Sequence, residues 1–464
     1  MTNKIPDVPA VLRVGCAAGF SGDRTDAARP VVDALIASGG ASFLIFETLA
    51  ERTLALAQSA RLANSEGGYE PLLDELLGPV LADCLAHGIR IVSNFGAANP
   101  HGAARRIAQL ADELGLAAPR IAVVSGDDVS GADHRSALVN GSQGALGGPG
   151  GRELVSANAY LGAQAICDAL LAGAQIVVCG RVADPSLTVG PAMAHFGWAP
   201  DDWDRLARAT MAGHLLECGA QVTGGYYADP GIKDVAGLAR LGYPIAEIDA
   251  NGECVITKPA GSGGRIDEHI VKEQLLYEVH DPAAYVTPDV VADLSHAHVE
   301  QVGTDRVRLR GVVGHPRTAT LKVNVCWAAG WLAEAEISYA GARAEGRARL
   351  AAQIIRERLE GIGLLRIDLI GVSSVFADDA GHWLNAVPDS GAADVRLRIA
   401  LKHPDRVQAE RLGREMVALY TCGPAGGGGV RTSIRATLGT LSLLMPRSLI
   451  EARFEFFNAG RERV

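Results

Sequence analysis

The sequence has no Cys-x-x-Cys pair, no run of lysines and arginines, and no apolar stretch of ~18 residues. Each absence removes a class of protein. The eight cysteines, at 16, 84, 167, 179, 218, 254, 326 and 422, are scattered. That pattern fits the reduced thiols of a cytoplasmic enzyme better than a disulfide scaffold or a structural zinc site. Lys and Arg number 43 against 53 Asp and Glu, a net charge of −10. Without a basic face nucleic acid is not an expected partner, because phosphate contacts require one. No segment reads as a transmembrane helix, and Met1 to Ala10 lacks the basic-then-apolar layout of a signal peptide. No membrane partner is expected. The P-loop, the His-Glu-x-x-His pair and the Gly-x-Ser-x-Gly elbow are missing as well. The first apolar run leads into Gly15-Cys16-Ala17-Ala18-Gly19, not Gly-x-Gly-x-x-Gly, so nicotinamide or flavin binding has no support.

What is present is alternation. With 464 residues, two or three domains are expected. Short apolar runs at Val11–Cys16, Ser42–Phe46, Arg90–Ser93, Arg120–Ser125 and Gln175–Cys179 are separated by helix-period segments. Such a succession predicts an α/β fold whose N-terminal part is a mostly parallel, doubly wound sheet covered on both faces. A barrel-like N-terminal domain is the alternative, since strand order is not written in one sequence. A helix is expected over Ser156–Ala172 and another over Asp204–Gly219. From Gly252 onward the pattern turns to alternating strands and helices, with a reversal at Ala328-Ala329-Gly330. The reading is a Rossmann-like domain over 1–245 that carries the site, followed by an α+β domain over 246–464.

In open parallel sheets ligands bind beyond the carboxyl ends of the strands. Each of the five runs ends in polar residues: Ser21 and Asp23 after Cys16; Glu47 with Thr48; Asn94; Asp127 with Asp128; and Cys179 with Arg181 and Asp184. Taken singly, each is a loop residue or a helix cap. Taken together, they predict one rim. Adjacent carboxylates at 127 and 128 suit a divalent cation, or a pair whose pKa values split so that one acts as an acid. His214, Glu217 and Cys218 share one helix face by their i, i+3, i+4 spacing, a face able to hold a base, an orienting acid and a nucleophile. Packing residues would show the same spacing. Glycine is 55 of 464 residues and gathers in loops. One follows Lys258-Pro259 with Gly263 and Gly264, one spans Asn140–Gly151, and one contains Gly427 and Gly428 ahead of Arg431. Gly-rich backbone beside a cation cradles anions, and each loop is equally readable as a plain turn.

Several segments together resemble the acyclic terpene utilisation (AtuA-like) family. They are Arg13-Val14-Gly15-Cys16 with Gly19-Phe20-Ser21-Gly22-Asp23, Val92-Ser93-Asn94 with Asn99-Pro100, Gly126-Asp127-Asp128, and Ala157 to Gly162 including Asn158. Gly180 to Asp184, Ala212 to Gly219, Thr257-Lys258-Pro259, Glu273 to Tyr277 and the 423–431 loop extend the resemblance across the chain. It implies catabolism of branched, terpene-derived acids through CoA thioesters, with no settled reaction. The expectation is a lyase or hydratase in which Asp127, Asp128, His214 and Glu217 supply acid and base. Asn94 and Arg181 would hold an oxyanion or carboxylate. Cys179 or Cys218 as nucleophile would shift the class to acyl transfer or hydrolysis. The alternatives are a metal-dependent hydrolase or lyase using the same four acid–base residues as ligands, and a non-catalytic subunit of a catabolic complex. A small carboxylate or acyl-CoA is the expected substrate, with CoA present only as part of it and a divalent metal left open. A homo-oligomer is expected.

Overall fold

The computed structural model describes residues 10–142, 146, 152–379 and 381–458. The glycine-rich stretch expected at Asn140–Gly151 lies mostly outside them.

Apolar runs flanked by amphipathic helices form the centre. Strands β1 (Val11–Cys16), β2 (Ser42–Phe46), β3 (Arg90–Ser93), β4 (Ile121–Ser125) and β6 (Ile176–Cys179) lie in the order β1-β2-β3-β6-β4, all parallel. Alternate residues feed two cores. Phe43 and Ile45 face one with Val14 and Val177; Leu44 and Phe46 face the other with Ile91 and Val178. Burial on both faces is why these strands read as unbroken apolar runs. Helices cover both faces, as expected of a doubly wound sheet. Helix Pro100–Glu113 shows the local logic: Asn99 accepts from Gly102 N at 3.0 Å, and Pro100 occupies the first turn, where no N–H is needed.

The remaining strands differ from expectation in instructive ways. Residues 154–159 form β5 (Leu154–Ala159), and the helix begins only at Gln164. Taken locally, Ser156–Ala172 reads as one helix. Backbone bonds to residues 127–129 and to Lys322 override that local preference. β7 (Ile245–Asp249), at the expected domain boundary, pairs antiparallel with β1, and β8 (Cys254–Thr257) follows it. After β9 (Tyr285–Val286) and β10 (Val291–Asp293), β11 (His298–Gly303) and β12 (Arg306–Arg310) extend the sheet to the order β11-β12-β8-β7-β1. β13 (Val313–His315) joins β10 and β9 in a small sheet. β14 (Thr320–Ala340) runs through the expected reversal at 328–330 without turning. Gly330, at φ +87°, absorbs the irregularity there.

The chain divides into two compact units, Met1–Cys326 with Thr440–Val464, and Trp327–Gly439. In the second, the later part of β14 is followed by helix Ala344–Arg358, β15 (Leu364–Ile370), β16 (Asp394–His403), helix Arg406–Cys422 and β17 (Gly428–Pro446). The order β15-β16-β14-β17 is that of a ferredoxin-like β-α-β-β-α-β unit. Its core joins Ile337, Leu397 and Ile367 of the strands to Ile355 and Leu412 of the helices. In the first unit, the final strand β18 (Arg453–Phe456) closes the sheet by pairing antiparallel with β4.

Candidate functional site

The first unit contains a cavity of ≈ 1030 Å³ beyond the carboxyl ends of the parallel strands. Its wall takes Ser21 and Asp23 from the loop after β1, Glu47 from the end of β2, and Arg181 and Asp184 from the end of β6. Glu217 and Cys218 come from the end of helix Trp203–Glu217. Exposed Phe20, Tyr226, Val286 and Leu444 add an apolar part to the same wall.

Two of the five strand ends stop just behind the wall. Asn94 is fully buried and donates from Nδ2 to Glu47 Oε1 at 2.8 Å, while its Oδ1 accepts from Thr48 N at 2.8 Å. It positions Glu47 rather than facing a ligand. Asp127 Oδ2 accepts from Arg181 N at 3.0 Å and from Asn158 Nδ2 at 2.9 Å. It fixes the turn that presents Arg181. Burial pushes the Asp127 carboxyl up to about 6, against those two bonds. Asp128 is exposed and accepts from Ser130 N (3.0 Å) and Ser130 Oγ (2.5 Å), an Asx turn. The expected acid–base role of the 127–128 pair is therefore not met by position. One member is a buried brace and the other a solvated turn. Asn158 is likewise part of the brace.

The cavity floor is electrostatically unusual. Arg181 is buried, donating from Nη1 to Leu49 O at 2.8 Å and from Nη2 to Asp184 Oδ1 at 2.5 Å, and its guanidinium lies 4.1 Å from the Tyr160 ring centre. Burial would lower its pKa, but Asp184, Tyr160 and Glu47 hold it charged. Burial, reinforced by Asp184, pushes the Glu47 carboxyl well above the usual range despite the opposing pull of Arg181. Asp184 is raised by burial too, with Arg181 drawing it back toward ionisation.

Glu217 and His214 meet as the helix spacing predicts, Nδ1 to Oε1 at 3.1 Å. Burial pushes His214 down to about 4, so the ring is neutral. Its Nε2 faces Gln274 O at 3.1 Å and must be the donor, which leaves Nδ1 as an acceptor. Burial, with Asp184 and Glu278 nearby, raises Glu217 well above the usual range. The contact is thus a hydrogen bond from a protonated carboxyl, not an ion pair. Glu217 Oε2 is buried and has no partner. Tyr285 Oη lies 3.5 Å from the same Nδ1.

Other expected residues fall elsewhere. Cys179 is fully buried behind the wall, and burial pushes its thiol up; burial and Glu217 do the same for Cys218. An activated nucleophile needs the opposite shift. Lys258 is buried, bonded to Ser262 O at 3.0 Å and paired with Asp305 at 3.1 Å. A Cβ at Gly263 would sit 2.0 Å from Gly237 O, so Gly263 and its neighbour Gly264 serve loop packing. Gly427 and Gly428 belong to the second unit, where a Cβ at 427 would meet Ile337 and Tyr339 at about 3 Å. Arg431 is exposed on β17. Among the described residues no group of three or more His, Cys, Asp and Glu is placed to hold a metal ion, so Asp127, Asp128, His214 and Glu217 do not form the ligand set considered above.

Sequence reading missed Glu51, Tyr160, Glu278, Tyr285 and Lys322, all on the wall. Tyr160 Oη donates to Glu51 Oε1 at 2.5 Å, and Lys322 Nζ donates to the same oxygen at 2.9 Å. Burial raises Glu51, but these two bonds outweigh it and hold the carboxylate at about 2. The Tyr160 ring also faces Lys322 Nζ at 4.5 Å. Tyr160 lies inside the 157–162 motif; the others carry no local signal.

The class that the fold defines is a mixed α/β protein on a doubly wound scaffold, with an acid-lined, partly apolar cavity at its strand ends. The chain belongs to the acyclic terpene utilisation family, since the family profile described as acyclic terpene utilisation family protein AtuA matches residues 12–456. Neither a curated protein nor a solved structure matches it. Among the described residues no helix is long and apolar enough to cross a membrane.

Proposed function

We propose that the cavity performs lyase or hydratase chemistry on a branched acyl substrate, with Glu217 as general acid and Asp184 as general base. The observation that carries this reading is the division of labour among buried carboxyls on one wall. Glu217 keeps its proton through burial and its bond to His214. Burial raises Asp184 as well, but the Arg181 guanidinium against it draws it back toward its ionised form, a pull that Glu217 receives more weakly. Environments that drive two carboxyls apart are how one site supplies both an acid and a base. In the elimination direction Asp184 takes the proton beside the carbonyl. The C–H pair becomes the new double bond, the C–O bond at the next carbon breaks, and Glu217, its proton turned onto Oε2, protonates the departing hydroxyl to give water. Hydration is the reverse. A small-molecule substrate in the cytoplasm fits the acid-lined cavity and the scattered thiols.

The test is exchange and turnover with a 2-enoyl or 3-hydroxyacyl thioester. Wild type should wash deuterium into the position beside the carbonyl and change the enoyl absorbance. Glu217→Gln should lose roughly 10²–10⁴-fold in rate, the usual contribution of a positioned acid or base. Activity should fall as pH rises through the elevated Glu217 pKa, since the acid is then lost. Unchanged turnover in Glu217→Gln, or no exchange in wild type, overturns the reading.

A further inference from the structure

We propose that the free edge of β17 pairs with the same edge of a second copy of this chain, antiparallel about a two-fold axis at Ile434, joining the sheets of two second units edge to edge.

A sheet edge leaves alternate N–H and C=O groups unpaired, and a long one is a template for another strand unless it is blunted. The two edges of this sheet are β15 and β17, and they are treated differently. At β15 the chain folds back on itself: Leu369 N donates to Ser373 O at 2.9 Å, and Ser373 N to Leu369 O at 2.8 Å. Arg366 Nη2 adds a bond to Ser374 O at 3.0 Å. Nothing comparable covers β17, which among the described strands pairs with β14 on one side alone. Arg431, Thr432, Ser433, Arg435 and Ala436 are exposed there, and no proline interrupts the strand before Pro446.

The residues of this edge select its occupant. Alternation places Val430, Thr432, Ile434 and Ala436 on the helix side, where Val430 and Ile434 pack against the core. Arg431, Ser433, Arg435 and Thr437 take the other side. A two-fold axis normal to the sheet keeps like sides together. An axis at Ser433 sets Arg431 against Arg435 twice, and one at Arg435 sets that arginine against itself; like charges directly opposite each other are destabilising. An axis at Ile434 removes both clashes and keeps the stretch 429–439 of β17 paired. Axes nearer either end shorten the pairing within the unit. About Ile434, Arg435 faces Ser433 and Arg431 faces Thr437. The helix side gains Ile434 against Ile434 and Thr432 against Ala436, an apolar and β-branched row suited to a strand pair. Half-exposed Val417 and Tyr420 of helix Arg406–Cys422 flank that row. Tyr420 Oη accepts from Val430 N at 3.1 Å, and a Cβ on Gly413, one turn before Val417, would lie 3.5 Å from Thr432.

Sedimentation velocity of the whole chain tests this. Wild type should pass from monomer to dimer over about 1–100 µM, the range of a small interface. Two substitutions at the exposed Ser433 should then move the equilibrium in opposite directions, because each acts twice across the axis. Ser433→Arg adds a cation opposite Arg435 and should raise the dimer Kd roughly 2–30-fold, while Ser433→Asp should lower it by a similar factor. Opposite signs at one position are not the mark of a folding defect, and both variants should keep the wild-type circular dichroism. A wild type that stays monomeric overturns the proposal, as do species that grow beyond the dimer. A dimer that neither variant shifts lies on another face, and one that both weaken is paired about Ser433; either result overturns it. A monomer that instead takes up an extended peptide of alternating Glu and Val, more weakly in Ser433→Asp, assigns the edge to an acidic partner and overturns it too.

Discussion

Asp127 and Asp128 are neighbours in sequence and opposites in environment. Asp128 serves its own turn, so Asp128→Asn should change turnover less than about twofold and stability by under ~0.5 kcal/mol, as surface substitutions do. A large loss of activity with normal folding would show that the exposed carboxylate reaches the reaction. Asp127 makes a different prediction. Its carboxyl titrates near 6 in the fold, above the ordinary 3.8. A raised acid pKa means that the fold holds the proton more tightly than the unfolded chain does. Its contribution is full below about pH 4 and is lost as pH rises through 6. Between those limits it amounts to about 3 kcal/mol. Asparagine presents a carbonyl to the same two donors without ionising. Urea midpoints of wild type and Asp127→Asn at pH 4.5 and 7.5 should differ accordingly, the variant losing less as pH rises. Parallel pH dependence in the two proteins would remove Asp127 as the titrating brace.

At the scale of elements, the loop after β1 and the end of helix Trp203–Glu217 are in backbone contact. A Cβ on Gly19 would lie 2.5 Å from Cys218 C and Gly219 N. Neither backbone can yield without moving Glu217. Gly19→Ala should cost roughly 1–3 kcal/mol by overpacking and lower turnover more than stability explains. A variant with wild-type rate and melting temperature would mean that the helix end shifts freely. The parallel strands were legible because burial on both faces writes an apolar run, and Glu47, Arg181 and Asp184 were legible because they follow such runs. The His214–Glu217 contact followed from helix spacing alone. β5 was not legible, because its strand character comes from pairing with residues far away in sequence. Glu51, Glu278 and Lys322 were missed for the same reason. Each becomes a wall residue only when a helix start, a loop and a distant strand meet. Gly330 misled as a reversal because glycine marks a turn and a strand irregularity alike.

At the scale of the whole molecule, the first unit is interrupted. Its sheet and cavity wall need Ser442, Leu443 and Leu444 and the closing strand β18, all encoded after the second unit. Truncation after Gly439 should therefore give insoluble protein, because it bares the edge of β4 and opens the core around Leu443 and Met445. A soluble truncation with native circular dichroism would show that β18 is dispensable.

That late closing strand also sets a timetable for synthesis. Ser125 pairs with Arg453, which leaves the ribosome 453 − 125 = 328 residues later. At about 5–20 residues per second the nascent chain carries β4 with one side unpaired for roughly 16–66 s. Throughout that interval the growing protein offers an open strand to any neighbouring nascent chain on the same polysome. Yield should thus depend on elongation speed and on chaperone supply more than the stability of the finished protein would suggest, and slowing translation should increase aggregation rather than relieve it.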